Sequence, residues 1–192
     1  MKKVLILIVF FVSCLFPLKS QQRFNSNIPK TGNGAPEYLA KTTQGRLDFP
    51  DHYGNYWEVL FSHPRDFSPV CSSELLQLAK IQNEFTMFGT NLVVTSADYL
   101  QTHYQGIKDL ESINKENFEP VKINLPLVAD DHFVLSKKYG MMHKSISTTQ
   151  TVRCVSFLNP DNKFVAVVFY QMNVSRSLDD MKSTLFALQS AC

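Results

Sequence analysis

The stretch Ser62 to Lys80, SHPRDFSPVCSSELLQLAK, places Cys71 three residues after Ser68, two after Pro69 and just ahead of an apolar pattern with helical spacing. Ser68 fits an N-cap, and Pro69 fits the first helical position, where a missing N–H costs nothing. Cys71 then falls in the first turn, where unpaired backbone N–H groups and the positive end of the helix dipole favour an anion. The thiolate is the reactive form of cysteine, so a thiol there is a candidate nucleophile. The competing reading is a small apolar residue facing the core from the first turn, and the local pattern leaves the two even. There is no C-x-x-C pair, so dithiol exchange is not indicated.

The elements that must position Cys71 alternate along the chain. YWEVLFS, rich in β-branched and aromatic residues, reads as a strand ending just before His63-Pro64, which sets the cysteine at the carboxyl end of a strand. From Pro69 to about Phe88, Leu75, Leu78, Ile81, Phe85 and Phe88 recur at helical spacing, with Gly89 placed as a C′ residue. NLVVTSA is a strand. Leu100, Tyr104, Ile107 and Leu110 mark an amphipathic helix behind an N-cap candidate at Asp98. LPLVAD is a further strand and HFVLSKKYG a short helix ending at Gly140. TVRCVSFL and KFVAVVFYQ flank Asn159-Pro160-Asp161-Asn162, a hairpin signal, and Leu178 to Gln189 form a last helix. Ahead of all these, EYLAKTTQGRLDF has β-friendly stretches around a turn at Gln44-Gly45. The order implies an α/β fold with a central mixed sheet flanked by helices.

One domain fits the 192 residues, with 44% hydrophobic and 19% charged content. MKKVLILIVFFVSCLFPLKSQQ has the layout of a secretory signal: Lys2 and Lys3, an apolar run from Val4 to Leu18, then Ser20 before polar residues. The run is shorter than the roughly 18 residues of a spanning helix. The expected division is a signal peptide at 1–20, a flexible lead-in at 21–35 and one domain at 36–192. An N-terminal anchor, or lipidation at Cys14, is the minority alternative. Removing 1–20 takes away Lys2, Lys3 and Lys19 and no acidic residue, which leaves 16 basic against 17 acidic residues. That is no field for nucleic acid or an anionic membrane. Cys71, Cys154 and Cys192 remain, an odd and widely separated set that argues against a disulfide-stapled scaffold and for a free thiol.

LFSHPRDFSPVCSSEL resembles the active-site segment of the peroxiredoxins (alkyl hydroperoxide reductase C / thiol-specific antioxidant family). Their Pro-x-x-x-Thr/Ser-x-x-Cys motif is met by Pro64, Ser68 and Cys71, and the Ser-His-Pro lead-in is similar to the one-cysteine subgroup. APEYLAKTTQG, TSADYLQTHYQGIKDLE, INLPLVADDHFVLSKKYGMM, VRCVSFLNPDNKF and MNVSRSLDDMKSTLFALQ continue the resemblance through most of the chain.

The resemblance implies a thioredoxin-like fold and a thiol-dependent peroxidase that reduces hydroperoxides through a sulfenic acid on Cys71. It implies that Ser68 Oγ and the Cys71 N–H hold the peroxide, that Arg153 stabilises thiolate and transition state, and that Pro64 shields the sulfur. Glu74 matches the acidic residue that orients this arginine, and Arg176 looks like a second supporting arginine. His63 is either a group that tunes Cys71 or a structural histidine. Bland readings stand beside the others: Arg153 as an edge arginine, Glu74 as a first-turn charge, Arg176 as a loop charge and Cys154 as a buried core thiol. The implied partners are a hydroperoxide substrate, an unidentified thiol reductant and a second copy in a homodimer or an assembly of dimers. No cofactor or metal is expected, since the five histidines show no paired spacing.

Two departures narrow this reading. The serine of the subgroup's Gly-x-Ser-x-Gly lipase motif is missing from Gly54-Asn55-Tyr56-Trp57-Glu58, so no phospholipase activity is expected. The chain also stops at LQSAC where many subgroup members continue, leaving Cys192 either as a resolving thiol for Cys71 or as an incidental terminal cysteine. Asn173-Val174-Ser175 is a glycosylation sequon with meaning only in a eukaryotic secretory route. The rival functions are a redox-regulated chaperone-like or peroxide-sensing binding protein without efficient turnover, and a disulfide-exchange enzyme of the envelope.

Overall fold

The structure is a computed structural model, and it describes residues 28–116, 120–143 and 146–191. The expected signal peptide, Cys14 and Cys192 lie outside the described residues. The elements run β1 (Tyr38–Thr42), β2 (Gly45–Phe49), a 3₁₀ turn at Asp51–Tyr53, β3 (Trp57–Ser62), α1 (Pro69–Met87), β4 (Thr90–Ser96) and α2 (Leu100–Glu116). They continue as β5 (Leu127–Ala129), α3 (Val134–Lys138), β6 (Arg153–Leu158), β7 (Phe164–Tyr170) and α4 (Leu178–Ala191).

The strands form one seven-stranded sheet in the order β2-β1-β5-β4-β3-β6-β7. β3, β4 and β5 are mutually parallel, while β6 runs antiparallel to β3. Antiparallel pairing brings the start of β6 beside the end of β3, with Ser62 opposite Cys154. Alternation along each strand then sorts side chains onto two faces. Val59 and Phe61 of β3 pack with Leu75, Leu78 and Phe85 of α1 and Met181 and Leu185 of α4. Leu60 points the other way, into a second core with Ala40, Leu47, Phe49, Leu135 and Tyr139.

Local sequence explains where the elements begin and end. Ser68 is the N-cap of α1 with Pro69 in the first turn, and Gly89, at φ 61°, takes the left-handed turn beyond its last residue. At the β6–β7 turn Asn162 adopts φ 58°, a conformation asparagine tolerates. Two sequence expectations are corrected. Asp98 does not cap α2; its carboxylate accepts from the Asp66 N–H at 2.6 Å and from the Ser96 hydroxyl at 2.8 Å. Tyr104 is exposed, and the buried side of α2 is made by His103 and Gly106 with Ile107 and Leu110 packed beside them. The expected lead-in is tied down at its end, because the Gly32 and Ala35 N–H groups donate to Phe164 O and Asn162 O at 2.7 and 2.8 Å.

Glu58 breaks the apolar pattern of β3. It is 3% exposed, and its Oε1 has no hydrogen-bond partner among the described residues. Burial pushes its carboxyl up to about 8. A raised carboxyl favours the folded state while it is protonated, and this support is lost as pH rises from the unfolded value through the folded one. Glu58→Gln should therefore raise stability by roughly 2–4 kcal/mol near pH 9, the gain shrinking toward zero near pH 4. Denaturant unfolding at both pH values checks this; a gain that is the same at both would remove the titration from the explanation.

Candidate active site

Cys71 opens α1 at the carboxyl edge of β3 and is 1% exposed. Its N–H donates to Ser68 Oγ at 3.1 Å, the capping bond that holds the first turn. Arg153, the first residue of β6, lies on the α1 side of the sheet and is 2% exposed. Its three nitrogens diverge. Nη2 donates to Cys71 Sγ at 3.3 Å, Nη1 to Glu74 Oε2 at 2.5 Å and Nε to the Met172 carbonyl at 2.7 Å.

Glu74 stands one helical turn beyond Cys71, so both project from the same side of α1. It is fully buried at 0% exposure. Arg176, in the segment leading into α4, meets it three times: N–H to Oε1 at 2.7 Å, Nε to Oε1 at 3.1 Å and Nη2 to Oε2 at 2.8 Å. Its remaining nitrogen, Nη1, donates to the Ser62 and Cys154 carbonyls at 2.6 and 3.1 Å, and the guanidinium lies 3.4 Å from the Phe61 ring centroid. Burial opposes ionisation of Glu74, but the hydrogen bonds and charge of Arg176, with Arg153 behind them, outweigh it and lower its carboxyl. The solvated-loop and edge-arginine readings of Arg176 and Arg153 are thus replaced by buried, fully engaged guanidiniums.

Among the described residues, two guanidiniums against one carboxylate leave this buried cluster with one excess positive charge. Uncompensated buried charge is costly. An anion on Cys71, already on the Arg153 guanidinium, cancels it. The arrangement therefore suits a sulfur nucleophile with fixed donors along its reaction path.

Pro64 is buried in the loop between β3 and α1. His63 is 1% exposed and bonds through Nε2 to Asp66 Oδ1 at 2.9 Å. Asp66 also meets His103 Nδ1 at 2.6 Å. His63, Asp66, His103 and Cys71 line one narrow cleft with a volume near 10 Å³, room for about a single water. Sequence reasoning missed Asp66 and His103. The available signal was spacing, since His103 falls three after Leu100 and four before Ile107, on the core-facing stripe of α2. Cys154 points to the opposite face of the sheet from Arg153, and burial pushes its thiol up to about 12, which suits an inert core residue. The Gln189 amide donates to Phe88 O at 2.9 Å, at the end of α1 opposite Cys71, and the 19-residue helix spans about 28 Å.

A sequence profile described as the AhpC/TSA family matches residues 31–167. The chain belongs to this family, the peroxiredoxins. It is 37% identical over 163 residues to a peroxiredoxin of Methanosarcina mazei, covering 84% of this chain and 74% of that one. It is also 31% identical over 173 residues to a 1-Cys peroxiredoxin of Dictyostelium discoideum, covering 90% of this chain and 70% of the relative. Among solved structures it is similar to a crystal structure of the peroxiredoxin 6 of Arenicola marina. There the TM-score is 0.74 and the identity 30%, over 83% of this chain and 73% of the other. The fold is thus the thioredoxin-like one of peroxiredoxins, and the protein is a thiol-dependent peroxidase.

Proposed function

We propose that Cys71 is the peroxidatic residue and that Arg153, Ser68 and Pro64 complete the reacting site, with Glu74, Arg176 and His63 supporting it. The Cys71 thiolate attacks the distal oxygen of a hydroperoxide, the O–O bond breaks, and a sulfenic acid forms on sulfur. The observation carrying this reading is the 3.3 Å contact between Arg153 Nη2 and Cys71 Sγ inside a buried cluster whose charge the sulfur anion completes. Arg153 meets sulfur and the breaking O–O bond from one side. The Cys71 N–H, bonded to Ser68 Oγ before substrate arrives, is shared with the peroxide oxygen when it binds. Pro64 keeps water off the sulfur.

The one-cysteine subgroup fits best, with an external thiol returning the sulfenic acid to the thiol. The Ser-His-Pro lead-in and the similarity to a 1-Cys relative support this. The placement of Gln189 at the far end of α1 disfavours Cys192 as a partner for Cys71 of the same chain. A homodimer is supported by β7, an edge strand whose apolar residues are half buried. Export is supported by the charged start and apolar run ahead of Ser20, with 21–35 leading into the domain.

One experiment tests the set: the reduced protein is mixed with one equivalent of hydrogen peroxide, and products are read by intact and peptide mass spectrometry. Rapid gain of a single oxygen on Cys71 is expected. Reaction no faster than that of a free thiol would sink the peroxidatic assignment, and a Cys71–Cys192 disulfide would replace the one-cysteine cycle with a two-cysteine one. The intact mass of protein from its own cells reads cleavage after Ser20, and sedimentation of the same sample reads the dimer.

A further inference from the structure

His63, Asp66 and His103 form a hydrogen-bonded row beside Cys71. His103 is 0% exposed. Its Nε2 lies 3.1 Å from the Val128 carbonyl oxygen and its Nδ1 2.6 Å from Asp66 Oδ2. The carbonyl can only accept. Burial opposes ionisation of Asp66, but hydrogen bonds from His103 and His63 hold its carboxyl well below the ordinary range, so it too only accepts. Both nitrogens of His103 thus face oxygen acceptors. On its other side, Asp66 Oδ1 lies 2.9 Å from His63 Nε2. His63 Nδ1 is buried and without a hydrogen-bond partner among the described residues, on a ring that lines the Cys71 cleft.

We propose that Asp66 and His103 are positioning residues for peroxide reduction, fixing His63 as the tautomer whose bare Nδ1 receives the proton of the incoming hydroperoxide. This rests on Cys71 being the peroxidatic thiol. Nδ1 accepts the hydrogen on the distal oxygen as Sγ attacks that oxygen. The S–O bond forms while the O–O bond breaks, and its electron pair leaves with the second oxygen. Nδ1 passes the proton to that oxygen, so an alcohol or water departs and a sulfenate remains on Cys71. Sulfur loses the two electrons that the peroxide gains, and no further reactant is needed. The charged and titratable groups around His63 are Asp66 on its own loop, Cys71 from α1 and His103 from α2. Behind them stand Asp98, on the Asp66 N–H, and Arg153, on Cys71.

The test has two arms. Histidine ¹⁵N spectra of the reduced full-length chain should show His63 protonated at Nε2 and bare at Nδ1, and His103 protonated at both. A proton on His63 Nδ1, or a neutral His103, overturns the proposal without any variant. In the second arm, Asp66→Asn offers an amide N–H to Nε2 and so turns the ring to the wrong tautomer, the logic by which a triad aspartate acts in serine proteases. Its stopped-flow rate with hydrogen peroxide should fall about 10²-fold, whereas alkylation of Cys71 by iodoacetamide, which needs no such proton transfer, should stay within about twofold. Should Asp66→Asn not fold, His103→Gln serves in the same comparison, with a loss of about tenfold expected. Equal losses in both reactions would mean a disturbed cysteine pocket and would overturn the proposal, as would an unchanged peroxide rate beside a normal wild type. A wild type no faster than a free thiol overturns the peroxidatic reading and this proposal together.

Discussion

Cys71→Ser is expected to abolish peroxide reduction, and Arg153→Met to slow oxidation of Cys71 by about 10²–10³-fold, the usual loss when one fixed donor to a reacting anion is removed. Methionine roughly preserves the apolar stem of Arg153 but removes the Nη2 contact with sulfur. It also removes the cluster's excess positive charge, leaving Glu74 balanced by Arg176 alone. The variant should thus fold while losing the electrostatic reason for an anion on Cys71. Arg153→Lys should recover only part of the rate. Arg153 reaches Sγ, Glu74 and the Met172 carbonyl from three separated nitrogens, and an ammonium donates from a single point. Stopped-flow oxidation of the reduced proteins, followed through tryptophan fluorescence or residual thiol, measures all three. An Arg153→Met rate within about twofold of wild type would remove Arg153 from the reacting site.

Glu74→Gln is expected to cost about 3–5 kcal/mol of stability, because it strands two buried guanidiniums without their shared carboxylate. The loss should depend on pH. The Glu74 carboxyl is lowered in the folded protein, so its contribution is present above the ordinary carboxyl value of 4.5 and disappears as pH falls through the folded value. Wild type and Glu74→Gln should therefore converge in acid. Adding Arg176→Met to Glu74→Gln should destabilise by less than the sum of the single changes, since the second removes a charge the first left unpaired. Denaturant unfolding across pH measures this. A cost below about 1 kcal/mol near neutral pH would mean that water or relaxation replaces the carboxylate. Glu74 thus joins stability to chemistry: the carboxylate that makes two buried arginines tolerable also aims one of them at sulfur.

The elements were legible because their signals are contiguous. Ser68, Pro69 and Cys71 specify a capped helix start within four residues, and Glu74 follows one turn later by helical period alone. Asn159 to Asn162 specify their turn by backbone preference. The resemblance to peroxiredoxins set Arg153 with the Cys71 thiolate and Glu74, but it gave Arg176 only as a second supporting arginine, without what it touches. Asp98 and Tyr104 were misread because a cap and an apolar stripe are local patterns that tertiary contacts override: Asp98 is engaged by the Asp66 N–H, and His103 takes the buried place on α2 through Asp66 and Val128.

By itself, then, the sequence determined the order of strands and helices, the capped first turn that presents Cys71, and membership of a thiol-peroxidase family. Only the tertiary structure decided the charge balance around the sulfur. Arg153 comes from 82 residues away and Arg176 reaches Glu74 across 102. Both meetings depend on β6 lying antiparallel to β3 with Ser62 opposite Cys154. A slip of one residue in that register would turn Arg153 to the other face of the sheet and Cys154 toward Cys71. Side-chain spacing along one segment is set by local geometry, whereas encounters between segments are set by register and face, which no single segment encodes.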